Sequence, residues 1–199
     1  MALDLFKSPK KFYSKLSLKD NWVSTKTFLQ VIIIPVILAS IYAIIIPQEQ
    51  IQGIHWSITF PTAFIAGLLI WLVGLLILTF LTHIGVIVMN GKKGISETYN
   101  IMAYSITVLA VYSAINYAVL ILLALLLNPQ QLLDVSPIVS IPLLLISFVH
   151  WVYANTQGIK EIHRLSLGAA LTSSLFSIIL VIIATLFLVG LILSVALFI

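Results

Sequence analysis

Five long apolar runs dominate this chain, and none of them contains an Asp, Glu, Lys or Arg. A helix of about 20 apolar residues is long enough to cross the hydrocarbon core of a bilayer. Only 8% of the residues are charged, against about 25% in soluble domains. The sequence therefore predicts an all-α, polytopic integral membrane protein. Its five transmembrane helices are expected at approximately 28–46, 60–89, 99–127, 137–157 and 167–199, forming one membrane domain over 28–199.

The first 27 residues are expected to form a separate cytoplasmic segment. Ser8 followed by Pro9 is typical of an N-cap and a first helical turn. Beyond them, Phe12, Tyr13 and Leu16 fall on one face at helical spacing, and lysines occupy the other positions. This pattern predicts a short amphipathic helix at the membrane interface. A disordered basic tail is the alternative.

All Lys and Arg residues fall on one side of the predicted topology. They precede the first span, lie between the second and third, or lie between the fourth and fifth: Lys7, Lys10, Lys11, Lys15, Lys19, Lys26, Lys92, Lys93, Lys160 and Arg164. The other two loops carry only Glu49 and Asp134. Because loops rich in Lys and Arg stay in the cytoplasm, we expect the N-terminus inside and the C-terminus outside. In a prokaryote the location would be the cell membrane.

The net charge of +4 indicates anionic lipid headgroups as partners. The basic residues flank apolar segments, so lipid explains them more simply than nucleic acid does. A candidate cytoplasmic contact face consists of Lys10, Lys11, Lys92, Lys93, Lys160, His163 and Arg164. A homo-oligomer and a cytoplasmic protein partner both stay open.

The spans argue against an enzyme and against an ion-coupled transporter. Such transporters usually place an ionisable residue near the middle of the bilayer, and these spans contain no Asp, Glu, Lys or Arg. A G-x-S-x-G elbow and a P-loop are both missing from the sequence. The chain has no cysteine, and two histidines on different helices make an incomplete metal site. We expect no catalytic residue, metal or cofactor.

Neutral polar residues remain as candidates for a site. A candidate intramembrane polar cluster consists of His83, Tyr104, Ser105, His150 and Asn155, all placed towards the cytoplasmic ends of their spans. The functional interpretation is a pocket for a lipid headgroup or a small polar ligand. The structural interpretation is hydrogen bonding between helices, which contributes about 0.6 kcal/mol per bond on average in a membrane. The sequence favours the structural interpretation.

Asn116 is the polar residue nearest the middle of the third span. Its amide needs a hydrogen-bond partner in lipid. A contact between helices is favoured over catalysis at this position.

Three motifs occur in a fixed order along the chain. The first, SPKKFYSKL, carries a P-x-x-F pattern. The second, GKKGISETYNIMAYS, has a glycine loop followed by an aromatic-serine pair. The third, WVYANTQGIKEIHRLSLGAAL, has a recurrent Gly, His and small residue. In this order they resemble the Yip (Ypt-interacting protein) family of five-span membrane proteins over nearly the whole chain. The matching positions are Gly91, Gly94, Tyr104, Ser105, Trp151, Gly158, His163, Ser166 and Ala169.

The resemblance implies a role rather than a reaction. Eukaryotic members of the family associate with Rab-type GTPases and with one another in the early secretory pathway. Here it implies organising membrane or recruiting partners at the cytoplasmic face, and the alternative is a small permease or channel for a polar solute or lipid. One position departs from the family pattern: Thr107–Val108 stands where a proline is common, which puts the kink of the third span in question.

Overall fold

The computed structural model describes residues 2–16, 21–45 and 56–197. Within these ranges the chain forms seven α-helices and no strand: α1 Ala2–Lys7, α2 Pro9–Lys15, α3 Asn21–Ile45, α4 Trp56–Val88, α5 Ile95–Leu126, α6 Pro129–His163 and α7 Leu167–Leu197. Lys19, Glu49 and the last two residues of the predicted fifth span lie outside the described residues.

Four of these helices are long and apolar enough to cross a membrane. They are α3, the Phe60–Val88 part of α4, α5 and α6. The apolar stretch described in α7, Leu167–Leu180, is shorter, although the helix itself runs to Leu197. Large apolar side chains cover the outside of the bundle; Ile70, for example, is 72% exposed. Such a surface requires lipid around it, so the chain is an all-α polytopic membrane protein, as predicted.

Local capping decides where α6 begins and ends. The Asn128 side chain accepts a hydrogen bond from the Gln131 backbone at 2.9 Å, and the Gln131 side chain accepts one from the Asn128 backbone at 3.3 Å. This capping box, with Pro129 in the first turn, starts the helix well before the predicted span boundary at 137. The left-handed backbone of Arg164, with φ of 56°, ends it.

The first half of α5 is the centre of the bundle. It packs against α3, α4 and α6, and its buried residues are Thr98, Asn100, Ile101, Met102, Ala103, Tyr104, Ser105, Ile106, Thr107, Val108 and Ala110. One buried cluster joins it to α2 and α6 through Tyr13 and Ile159, and a second joins it to α3 and α4 through Phe28 and Leu75. The start of α5 therefore contacts α3, α4 and α6 directly and shares a buried cluster with α2.

The predicted short amphipathic helix is present as α2. Pro9 lies in its first turn, although the preceding Ser8 makes no side-chain cap. Phe12 and Tyr13 are 6% and 2% exposed, because this face packs against α6 and against the α5 residues of the same buried cluster. The protein itself thus covers the apolar face, and the exposed lysines are left to meet the membrane surface or a partner.

Candidate functional site

One end of the bundle brings together α1, α2, the 89–94 loop between α4 and α5, and the 164–166 turn between α6 and α7. The Lys92 backbone N–H donates to the His163 carbonyl at 3.4 Å, which ties that loop to the end of α6. We call this the basic end, because it carries Lys7, Lys10, Lys11, Lys15, Lys26, Lys92, Lys93, Lys160 and Arg164. Asp134 lies near the start of α6, at the opposite end.

Six of the seven residues of the candidate contact face are accessible at this end. Lys10, Lys11, Lys92, Lys93 and Arg164 are exposed, and Lys160 is partly exposed. His163 differs, because its side chain is 0% exposed. It is a core residue beneath the surface that the other six form.

Tyr13 anchors α2 to the bundle. Its hydroxyl donates to the Ile101 carbonyl of α5 at 3.2 Å, and its ring lies against Gly158 of α6. A Cβ atom on Gly158 would come within 2.9 Å of the Tyr13 ring and 2.5 Å of the Ile101 side chain. Phe12 packs edge-on against Tyr104, with ring centroids 5.2 Å apart. The phenylalanine of the P-x-x-F motif therefore meets the tyrosine of the central motif.

Docking of α2 should weaken in alkaline solution. Burial, with a smaller contribution from Tyr104, raises the pKa of Tyr13 above its usual value of about 10. A raised folded-state pKa means that the stabilisation is complete below about pH 10 and is lost as pH rises above it. We expect the free energy of unfolding of the wild type, measured by denaturant titration in detergent, to fall more steeply above that pH than that of Tyr13→Phe. Equal falls in the two proteins would contradict the assignment.

The loop after α4 depends on close backbone approach at Gly91. A Cβ atom there would lie 2.3 Å from the Val86 side chain and 3.5 Å from the His163 Cβ. The Gly91 N–H donates to the Val86 carbonyl at 2.8 Å, and Asn90 has a φ of 61°. The tight turn then leads through Lys92 into α5, which explains the glycine at the start of the loop motif.

A buried hydroxyl links two histidines just below this loop. The Thr98 Oγ1 lies 2.9 Å from Nδ1 of His83 and 3.0 Å from Nε2 of His163. The two imidazole rings are 6.4 Å apart. This arrangement connects α4, α5 and α6 through neutral groups, so its evident chemistry is helix-to-helix hydrogen bonding.

Removing that hydroxyl should loosen three helices at once. Thr98→Val keeps the shape of the side chain and removes both contacts with the histidines, and we expect a loss of about 1–2 kcal/mol in the free energy of unfolding. The matched control is Thr107→Val, since Thr107 is equally buried but donates only to the Tyr104 carbonyl of its own helix at 2.6 Å and should change stability little. Denaturant titration in detergent compares the two. Equal losses would contradict a special role for Thr98.

A second polar network joins the starts of α3 and α5. The Asn21 side-chain oxygen accepts from Ser96 and from Asn100, each at 2.8 Å. Ser24 donates to the Asn100 oxygen, and Thr25 lies 2.8 Å from the Tyr99 hydroxyl. Asn100 and Ser24 are 2% and 1% exposed, so the bond between them is shielded from water, whereas the bond from Ser96 to Asn21 is exposed.

The five residues of the candidate polar cluster lie in separate contacts. His83 bonds to Thr98, as described. The Ser105 hydroxyl donates to the Met102 carbonyl at 3.2 Å. His150 lies 3.3 Å from the Tyr112 hydroxyl, and Tyr104 packs against Phe12.

Asn155 belongs to a contact between α6 and α7. Its amide donates to the Ser174 hydroxyl at 3.2 Å, and Thr156 donates to the same oxygen at the same distance. Both side chains are buried. This contact holds the start of α7 against the end of α6.

Thr98, Asn21 and Asn100 were absent from the sequence-based candidates. A signal was present for Thr98 and Asn100, since TYN (98–100) lies within the first turns of the helix that follows the basic loop. However, neutral polar residues at a helix start are common, and spacing alone does not identify their partners. Within the described residues, no group of three or more His, Cys, Asp or Glu is placed to hold a metal ion.

The helices and loops of the basic end carry all three sequence motifs, in the order in which they occur along the chain. No match was found among curated proteins or among solved structures. A family model, the Yip1 domain, matches residues 3–198. That range covers nearly the whole sequence, from α1 into the last residues after α7. The chain belongs to the Yip1 domain family.

Proposed function

We propose that this protein is a non-enzymatic membrane protein that organises membrane or recruits partners at its basic end, on the cytoplasmic side. The observation that carries the proposal is the docking of α2. Its apolar face is buried against α5 and α6 through Tyr13 and Phe12, while Lys10 and Lys11 are exposed. A rigidly held cationic surface is suited to contact rather than to bond chemistry.

Charge supports the cytoplasmic assignment. Every Lys and Arg in the described residues lies at the basic end or in the helices that begin or end there. Loops rich in Lys and Arg are retained in the cytoplasm during insertion. Each basic side chain near an anionic leaflet adds about 1 kcal/mol of attraction, so the same surface binds headgroups and positions the short helices.

The favoured partners are anionic lipids and an acidic protein surface. The Lys92 backbone is tied to the end of α6, and α6 also packs against α2, so the exposed Lys92–Lys93 pair and Arg164 extend the cationic area beyond one helix. By analogy with eukaryotic Yip proteins, a small GTPase or a second family member is a fitting protein partner. A homo-oligomer would use the same membrane domain.

The alternative, a small permease or channel, would need its three expected lining residues to meet, and they lie in separate contacts. Tyr104 is 4% exposed and packs against Phe12. His83 bonds towards α5 and α6, whereas His150 bonds to Tyr112. We therefore retain the proposal that the protein acts through contacts at its basic end.

Photo-crosslinking in native membranes tests the proposal. A photoreactive residue is introduced at Lys11, Lys93 or Arg164, and at the exposed Gln130 of the opposite end as the matched control. We expect protein or lipid adducts from the three basic-end positions and a clear reduction when Lys10 and Lys92 are both changed to Glu. Adducts as abundant from Gln130, or none from the basic end, would contradict the proposal.

A further inference from the structure

A small polar pocket lies between α5 and α6, away from the basic end. It has a volume of about 50 Å³ and is lined by neutral groups that include Tyr112, Ser113, Asn116, Ser140 and Ser147. Asn116 Oδ1 is buried and has no hydrogen-bond partner among the described residues. An unpaired amide oxygen inside a membrane is costly, so this atom requires a donor.

An apolar groove adjoins the pocket. It is an open groove of about 510 Å³, lined by Tyr112, Leu145, Ile146, Val149, His150 and Tyr153. Tyr112 lines both cavities. Leu145 and Val149 are 59% and 67% exposed, so the groove opens sideways into lipid. Its volume is within the range of about 300–1,000 Å³ typical of small-molecule sites.

The two cavities follow one another along α6. The pocket uses residues 140–147 and the groove residues 145–153, a shift of about 7 Å along the helix. The groove therefore extends from the pocket towards the basic end, where Phe6 of α1 lies edge-on to His150 at 5.4 Å. A lipid whose polar group reached Asn116 would lay its tail in the groove.

We propose that this seam binds one neutral lipid that carries a free hydroxyl group. The hydroxyl donates to Asn116 Oδ1, which a lipid with only ester groups cannot do. Because a hydroxyl also accepts, the Asn116 amide nitrogen and the serine hydroxyls can pair with it too. The lining residues that the structure describes include no Lys, Arg, Asp or Glu, which disfavours a phosphate headgroup, and an uncharged hydroxyl is far less costly to bury than a phosphate.

Native mass spectrometry of the full chain in mild detergent tests this site. The probes are dioleoylglycerol and its acetylated form, which has the same chains but no hydroxyl. We expect one retained dioleoylglycerol per protein and about three- to tenfold weaker retention of the acetylated lipid. Asn116→Leu should reduce retention of dioleoylglycerol by a similar factor, and Val149→Trp should reduce retention of both lipids by filling the groove.

The control variant is Ser136→Ala, at a partly exposed serine of α6 that donates to the Leu133 carbonyl of its own helix. Helical circular dichroism and gel filtration verify folding, and Val149→Trp remains informative if Asn116→Leu does not fold. Equal retention of the two lipids by the wild type would overturn the proposal. Undiminished retention in both variants would overturn it as well, as would a pocket that holds only water.

Discussion

Gly158→Leu is expected to force α2 away from α6 and to destabilise the protein by about 3 kcal/mol. A Cβ atom at this position already overlaps Ile101 at 2.5 Å and Tyr13 at 2.9 Å. The Tyr13 ring cannot move away easily, because its hydroxyl donates a hydrogen bond to the Ile101 carbonyl. Measurements of thermal unfolding in detergent and of trypsin cleavage at the α2 lysines should both show the effect.

The matched control is Gly74→Leu. Gly74 also lies inside a long helix, but a Cβ atom there would have no neighbour within 4 Å. Both changes improve helix propensity by about 1 kcal/mol, so their difference isolates the steric contact. Gly74→Leu should leave α2 protected from trypsin. If Gly158→Leu were as stable and as protected as the control, the docking of α2 would not hold the basic end together.

Asn100→Leu is the second large effect that we expect. The amide joins α3 to α5 through Asn21 and Ser24. Asn100 and Ser24 are 2% and 1% exposed, so water does not replace the bond between them. We predict a loss of about 1–3 kcal/mol in the free energy of unfolding, because the buried Ser24 hydroxyl loses Asn100 as its partner across the two helices.

A double-mutant cycle separates this network from general packing. Asn100→Ala combined with Ser24→Ala should show a coupling of about 0.5–1.7 kcal/mol. Ser40→Ala serves as the control on the same helix, since Ser40 is equally buried but donates to the Val36 carbonyl of its own helix at 2.8 Å. Coupling of Asn100 with Ser40 as strong as with Ser24 would contradict a direct contact.

The long apolar helices and the amphipathic character of α2 were predictable from the sequence, whereas α1 was not predicted. Apolar length and the absence of charge identify membrane spans because lipid imposes both requirements on any spanning helix. The position of Pro9 in the first turn follows from its fixed φ, and the shared face of Phe12 and Tyr13 follows from helical periodicity; the expected Ser8 side-chain cap is not made. Periodicity does not say whether lipid or protein covers such a face, so the docking of α2 against Gly158 emerged only from the structure.

Which residues pair in each polar contact was not predictable from the sequence. His83 and His150 were expected to meet because they lie towards the same end, but depth alone does not determine the direction a side chain takes around its helix. One bonds to Thr98 and the other lies against Tyr112. His163 was expected at the surface because it sits beside Arg164, and it is buried because that position faces the 89–94 loop and Thr98.

Side-specific labelling of single cysteines tests most directly whether the basic end faces the cytoplasm. The chain contains no cysteine, so Lys93→Cys, Arg164→Cys and Asp134→Cys each report on one exposed position. With a membrane-impermeant maleimide, Asp134→Cys should react in intact cells, and the other two only after the cells are opened. Labelling of Lys93→Cys and Arg164→Cys in intact cells, with Asp134→Cys protected, would contradict the account.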